Sequence, residues 1–331
     1  MGAIIAVFLP MHPSMSLRVF IDGQAGTTGL ELASRLQSHA RIELLAIEED
    51  LRKDSSRRRE LLTEADVAVL CLPDAAAREA VELAPEARFL DASTAHRTNA
   101  GWVYGLPELE AGQRRAIRSA DRVANPGCYP TGFVLSVRPL IDGGLVSPDL
   151  PLRVNAVSGF SGGGKSMIAN YRDCDAAAWR HRAYGLDLNH KHVPEMRRYA
   201  NISHAPLFTP AVGHYRSGML VQVGLFATEL QRGAAPVDVH RTLAERYAGE
   251  PFVHVHPYNP DDFSDDGFLS PTARNGTNHL DLMVFGNDDH VLIASRYDNL
   301  GKGAAGAAVQ NLNLMLGLPE TAGLCAGGAN P

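Results

Sequence analysis

Cysteine is scarce in this chain, with four among 331 residues, at positions 71, 128, 174 and 325. None forms a C-x-x-C pair or a zinc-like spacing, so neither a disulfide framework nor a metal site is predicted. Such thiols fit a reducing, cytoplasmic setting. No apolar run approaches the length of a membrane-crossing helix, and no membrane partner is expected. There is no long basic run, and the net charge of −6 argues against a nucleic-acid partner. Internal repeats are absent. The short apolar run Ala3–Leu9 has no basic residue before it and no small-residue cleavage site after it, so it reads as a tail rather than a signal peptide. A second start-like point, Met15, directly precedes the first strand pattern.

What is present is ordinary for a globular protein: 45% hydrophobic and 21% charged residues. The length exceeds one typical core, which predicts two domains. Arg18–Ile21 is a β-rich run that leads into Gly23-Gln24-Ala25-Gly26-Thr27-Thr28-Gly29. A helical pattern follows at Leu30, Leu32, Ala33 and Leu36, then a strand pattern at Ile42–Ile47. Strand, glycine-rich turn, helix and strand make a βαβ unit, and G-x-x-G-x-x-G is a variant of the dinucleotide fingerprint. The glycines let the backbone approach a pyrophosphate, whose charge the helix N-terminus favours.

The segment after the second strand bears on cofactor choice. Glu48, Glu49 and Asp50 suit a ribose 2′-hydroxyl, as in NAD proteins. Arg52, Lys53, Ser55, Ser56, Arg57, Arg58 and Arg59 follow, and this basic, hydroxyl-rich run suits a 2′-phosphate, which favours NADP. A solvated charge run remains the other reading. Further strand patterns at Asp66–Leu72 and Phe89–Ala92 flank a helix at Ala75–Leu83. Four such strands predict a Rossmann-type doubly wound parallel sheet. Ligands in such sheets lie beyond the carboxyl ends of the strands. Pro73, the stretch Ser93–Arg97, and Cys128 all fall at such ends.

Cys128 stands in Asn125-Pro126-Gly127-Cys128-Tyr129-Pro130-Thr131-Gly132, before an apolar helical run. Gly127 permits a sharp turn, and Pro130 fits a first helical turn. A helix N-terminus favours a thiolate there. A buried, inert cysteine is the competing reading.

From about Leu152 the strand patterns lengthen and alternate: Arg153–Val157, Met219–Ala227, Phe252–His256, His279–Phe285 and Val291–Arg296. With a helix at Val237–Tyr247, they predict an α+β domain on a mostly antiparallel sheet. An alanine-rich helix at Gly301–Leu316 closes the chain. Gly159–Ser166 matches G-x-x-x-x-G-K-[ST], the phosphate loop of nucleotide triphosphatases. No later strand ends in a carboxylate suited to magnesium, so a general anion cradle of Ser161, Gly162 and Lys165 is the better reading. His190 and His192 flank Lys191 before a proline-initiated helix. Either could exchange protons with a thiol, and Glu195 could orient the ring. Surface histidines, or two ligands of a metal lacking a third, are the alternatives. Arg216 suits a substrate carboxylate or a plain salt bridge. Asn299 and Gly303 lie in a polar loop that opens the last helix.

Taken together, Phe20–Gly29, Asn125–Thr131, Ser158–Lys165, His190–Glu195 and Asp298–Gly306 resemble the N-acetyl-γ-glutamyl-phosphate reductases, most closely their shorter, type 2 branch. The resemblance runs from about Leu17 to Leu318. It implies a fold like that of aspartate-semialdehyde dehydrogenase. Residues 16–128 and 300–331 would form the NADP-binding Rossmann domain, and 129–299 a catalytic and dimerisation domain in a homodimer or homotetramer. It also implies NADPH-dependent reduction of N-acetyl-glutamyl 5-phosphate to the semialdehyde, with release of phosphate, in arginine biosynthesis. Cys128 would carry the acyl group and His192 would move the proton, with His190 as the alternative. Ser93 and Arg97 would lie near substrate phosphate or cofactor, and Asn125, His190, Lys165 and Arg216 near the substrate. Lys165 stands where many relatives carry arginine, which keeps the charge and changes the donor geometry.

Overall fold

The computed structural model describes residues 16–37, 39–260 and 267–324. The readings of the tail and of Cys325 fall outside them.

The first half builds β1 (Leu17–Asp22), α1 (Thr27–Gln37), β2 (Ile42–Leu45), α2 (Ser55–Glu64), β3 (Val67–Leu70), α3 (Asp74–Leu83), β4 (Phe89–Asp91), β5 (Val103–Tyr104), α4 (Gln113–Ser119) and β6 (Arg122–Ala124). Its six strands are all parallel, in the order β2-β1-β3-β4-β6-β5. The strands are near-continuous apolar runs because helices cover both faces, as parallel sheets require. Val67–Leu70 is buried at every position. The chain reverses direction across the sheet between β1 and β3, which opens a crevice at their carboxyl ends. Gly23 holds φ +87° there, and a Cβ on it would lie 2.4 Å from the Cys71 carbonyl oxygen, so only glycine fits.

The chain then crosses into a second layer through α5 (Cys128–Asp142), β7 (Arg153–Gly159), α6 (Gly164–Asp173), β8 (His181–Ala183), α7 (Val193–Tyr199), β9 (Leu207–Gly213), β10 (Met219–Phe226), α8 (Pro236–Arg246), β11 (Val253–Val255), β12 (Leu280–Gly286) and β13 (His290–Tyr297). The second sheet has seven strands in the order β11-β12-β13-β10-β7-β9-β8. It is more mixed than the alternation suggests: β7 runs parallel to β9, and β11 parallel to β12. β8 and β9 escape the sequence pattern, the first because its three residues are all exposed. On one face, Val221, Val223, Leu282, Val284 and Ile293 pack with Phe133, Leu140, Val239 and Leu243 of α5 and α8. The other face carries Leu220, Met283 and Ala294, with Val157, Leu269 and Phe285 partly buried beside them. Strand periodicity of two places these sets on opposite faces.

The expected closing helix begins with a wider turn at Gly301–Ala305 and continues as α9 (Gly306–Met315). α9 returns to the first sheet: Val309 and Leu312 pack with Val19, Leu32 and Val123. Among the described residues, no helix is long and apolar enough to cross a membrane.

Candidate active site

Two strand–turn–helix units of the first sheet meet at the crevice. At the first, the turn before α1 runs over Gly23–Gly26, and Gly26 N–H donates to the Gly23 carbonyl at 2.9 Å. A Cβ on Gly29 would lie 2.6 Å from Gly23 O, so the helix start is packed directly against its turn. Thr27 and Thr28 face the cleft, and the buried Thr27 hydroxyl has no protein partner. Gln24 and Ala25 are exposed at the tip of the turn. A glycine cradle, a helix N-terminus without an acidic first turn, and an orphaned hydroxyl fit a phosphate-bearing dinucleotide.

At the second unit, Gly127 caps α5 and Cys128 is its first residue. A Cβ at position 127 would sit 2.5 Å from Arg97 Nη1, 2.7 Å from His192 Nε2 and 2.9 Å from Glu195 Oε2. Glycine is therefore required, and these three side chains converge on the backbone just before the cysteine. Glu195, 2% exposed, accepts from Gly127 N–H and the Tyr104 hydroxyl, each at 2.7 Å, and from Arg97 Nη1 at 3.2 Å. Arg97 also donates to the carbonyls of Asn125 and Ala92, at 3.0 and 3.1 Å. A guanidinium has five N–H groups, so two remain for an anion in the cleft.

Glu195 thus does not orient an imidazole, as the sequence suggests. Its carboxylate takes three donors, none of them an imidazole, and His192 Nδ1 is buried without a partner. The His192 backbone N–H donates to His190 Nδ1 at 3.2 Å, and the two rings lie 4.8 Å apart. Burial holds His192 well below the ordinary imidazole pKa, reinforced by Arg97. Burial, with Lys191, lowers His190 to about 4. Burial likewise pushes the Cys128 thiol up, against the pull of Arg97, the Tyr129 N–H and Lys191. Burial thus favours the uncharged thiol and the uncharged imidazole, against the thiolate expected at a helix N-terminus. Desolvation outweighs the helix dipole here.

Two cavities open beside Cys128. One, about 330 Å³, is lined by Ser158, Gly162, Met167, Tyr184, His190 and His192, among others. The Tyr184 hydroxyl donates to that of Tyr129 at 3.1 Å, giving this cavity an aromatic wall. The other, about 160 Å³, runs from Cys128 past Arg97, Asn125, Ser161, Gly162, Asn299 and Gly303 to Thr27 and Thr28. It joins the cysteine to the glycine-rich turn. A Cβ on Gly303 would lie 3.0 Å from Cys128 Cβ, and Asn299 Nδ2 donates to the Ser161 hydroxyl at 3.0 Å. Asn125 is buried by Ala304 and Asn311, which bond its amide at 3.1 and 3.0 Å.

Several expected residues lie elsewhere. Ser93 donates its hydroxyl to Asp91 at 2.8 Å, and Asp91 also meets His96 Nδ1 at 2.7 Å, so Ser93 braces its own loop. Lys165 and Arg216 line an adjoining recess that shares Thr27 with the cleft and is otherwise walled by Leu30, Glu31 and Arg172, among others. Lys165 occupies the first turn of α6, which faces α1, and Arg216 points outward from a turn whose carbonyls hold Phe160 and Ser161. Neither lines the two cavities at Cys128. The phosphate-loop match has no triphosphate cradle behind it: its glycines form a short 3₁₀ turn, Phe160–Gly163, beside the cysteine. Pro73 caps α3 at the end of β3. Arg52 is exposed and pairs with Glu49 at 3.5 Å, while Ser55 is exposed at the start of α2. Sequence reasoning missed Tyr104, Tyr184 and Tyr297. Their only signal was hydrophobic, and it resembles that of any core tyrosine. Among the described residues no His, Cys, Asp and Glu group has the makings of a metal site.

The fold has known counterparts. Aspartate semialdehyde dehydrogenase II from Vibrio cholerae superposes with a TM-score of 0.64 at 16% identity, over 91% of this chain and 99% of that one. The enzyme from Francisella tularensis gives 0.66 at 16%, over 91% and 100%. Residues 128–299 match the family described as the semialdehyde dehydrogenase dimerisation domain. In sequence, the chain is 50% identical over 318 residues to N-acetyl-gamma-glutamyl-phosphate reductase 2 of Nostoc sp., covering 93% of this chain and 99% of that protein. It is 47% identical over 310 residues to N-acetyl-gamma-glutamyl-phosphate reductase of Burkholderia cenocepacia, covering 92% and 98%. The chain belongs to the N-acetyl-γ-glutamyl-phosphate reductase family, oxidoreductases of arginine biosynthesis.

Proposed function

We propose that this protein reduces N-acetyl-L-glutamyl 5-phosphate to the 5-semialdehyde with NADPH, through a thioester on Cys128. The observation that carries the reading is the convergence of Cys128, His192 Nε2 and Arg97 at Gly127, on a cleft that reaches the glycine-rich turn. Bound at that turn, a nicotinamide dinucleotide supplies the hydride. Cys128 Sγ attacks the acyl carbon while neutral His192 takes the thiol proton. Phosphate departs, and the two free N–H groups of Arg97 steady its charge. After reduction the thiohemiacetal collapses to aldehyde and Cys128 sulfur, with the proton returning through His192. His190, partly exposed beside it, supports the ring of its neighbour and lines the acyl cavity.

NADP is favoured over NAD by the basic, hydroxyl-bearing run after β2. Glu48 pairs with Arg57 at 3.1 Å and the exposed Glu49 with Arg52 at 3.5 Å, so these acids already sit beside cations. Arg52, Lys53 and Ser55 stay exposed where a 2′-phosphate would lie. The dinucleotide domain would comprise 16–128 and 300–331, with 129–299 as the catalytic unit. Two copies would meet through the dimerisation unit, residues 128–299, as dimers or as a pair of dimers. Free thiols at Cys71, Cys128 and Cys174 suit the cytoplasm. The test is a phosphate-dependent oxidation assay with NADP and NAD in parallel. N-acetylglutamate semialdehyde should be oxidised far faster than aspartate semialdehyde, and equal rates would overturn the reading.

A further inference from the structure

The helix that presents Cys128 has an unusual first turn. Tyr297 ends β13, whose register with β10 and β12 places it opposite Met219 and Leu280 in the centre of the second sheet. Its side chain lies on the helix-covered face, fully buried, and reaches α5. There its hydroxyl donates to the Cys128 carbonyl at 2.6 Å and accepts from the Gly132 N–H at 3.0 Å. Residues 128 and 132 stand four apart, so these are the two backbone groups that an α-helix would pair with each other. A phenol hydroxyl bridges them both. Insertion of a side chain into the helical ladder is a recognised cause of local bending.

The rest of the turn makes room for this hydroxyl. A Cβ on Gly132 would lie 2.7 Å from Tyr297 Oη and 2.3 Å from Ser295 Oγ, so glycine is required at the contact. Burial holds the phenol protonated, so it can keep donating to the carbonyl. The following residues continue to the site: Asn299 bonds Ser161, and Gly303 meets Cys128 Cβ. One strand end therefore touches the nucleophile's backbone, its side chain and the cofactor cleft.

We infer that Tyr297 is a positioning residue for the reaction: its hydroxyl, bridged between Cys128 and Gly132, sets the direction in which Cys128 points its sulfur. The inference deepens the proposed reaction by naming what aims the nucleophile. Its chemistry does not depend on which acyl phosphate is the substrate.

Tyr297→Phe tests it. Without the hydroxyl, the Cys128 carbonyl and Gly132 N–H can close on each other as an ordinary helical pair. The variant should therefore fold, with a melting temperature within a few degrees of the parent. Its kcat should fall about ten- to a hundredfold with KM within about twofold, as expected for a misaimed reacting atom. Alkylation of Cys128 by iodoacetamide, followed by mass spectrometry on the whole protein across pH 7 to 10, should slow in parallel. That readout needs no substrate, so it stands even if the proposed reaction fails. Ser295→Ala, which removes a neighbouring buried hydroxyl without touching Cys128, should leave kcat and alkylation unchanged. An alkylation profile in Tyr297→Phe that overlays the parent's would overturn the inference. So would an equal loss in Ser295→Ala, because that would mark general packing rather than aim.

Discussion

The glycine-rich turn before α1 and the cysteine turn before α5 have the same local build, a parallel strand, a tight turn and a helix N-terminus at one end of one sheet. They differ in what holds them. The first is closed by its own neighbours: Gly26 bonds Gly23, and Gly29 packs on Gly23. The second is held from far along the chain, by Arg97, Tyr104, Glu195 and Tyr297. The first leaves a buried threonine hydroxyl without a protein partner beside the cleft, whereas at the second burial disfavours the charged forms of both the thiol and the imidazole. A ligand-cradling turn can be written locally, but a reactive group needs its environment supplied by other elements.

The sharpest way to break this contrast is at the sulfur. Cys128→Ser should cost at least about 10⁴-fold in kcat while leaving dinucleotide affinity nearly intact, measured by reductase assay and cofactor fluorescence titration. Comparable activity in the variant would remove Cys128 from the chemistry. Next is the long-range tie. Glu195→Ala leaves Arg97 buried without its carboxylate, a loss worth about 3–5 kcal/mol in stability. Denaturant unfolding should show it, together with a drop in kcat. A variant as stable as the parent would mean that the cysteine turn holds itself.

The first turn should respond differently. Gly29→Ala forces a Cβ into contact with Gly23 O, and its main effect should be on the cofactor, with KM for the dinucleotide raised about tenfold and acyl-substrate KM barely moved. A purely thermal effect without a cofactor phenotype would erase the distinction. The pH profile sharpens the contrast further. Because burial lowers the pKa of His192, the imidazole stays neutral and able to accept a proton below pH 6.5. The acid limb of kcat should fall below the ordinary imidazole value, and His192→Asn should abolish that limb. In the free enzyme, iodoacetamide should alkylate Cys128 quickly only above the usual thiol pKa of about 8.5, because burial raises it. Fast alkylation at pH 7 would restore the thiolate reading. The smallest effect is expected at the adjoining recess: Lys165→Ala with Arg216→Ala should change kcat by no more than about twofold, since neither lines the Cys128 cavities.

Much of the architecture was legible because periodicity reports burial. The four apolar strand runs of the first half, their helices and the turn glycines all carry local signals, and so does Gly127 before Cys128. The short strands β5, β6 and β8 have two or three residues each and no period to read. Lys165 and Arg216 looked like ligands because a cation beside glycines suggests an anion site. Sequence does not say which way a side chain on a helix turn faces. Nor does it say that the Ser93 hydroxyl turns back to Asp91.

The sequence by itself determined that a glycine-rich turn should open one helix and that a cysteine should open another, each at the end of a parallel strand. Both follow from backbone geometry encoded within a few residues. Only the tertiary structure decided the protonation of that cysteine and its histidine, the partner of Glu195, and the placement of the Tyr297 hydroxyl in the first turn of α5. Those depend on burial and on groups 28 to 169 residues apart in the chain, brought within hydrogen-bond distance by the packing of the two sheets.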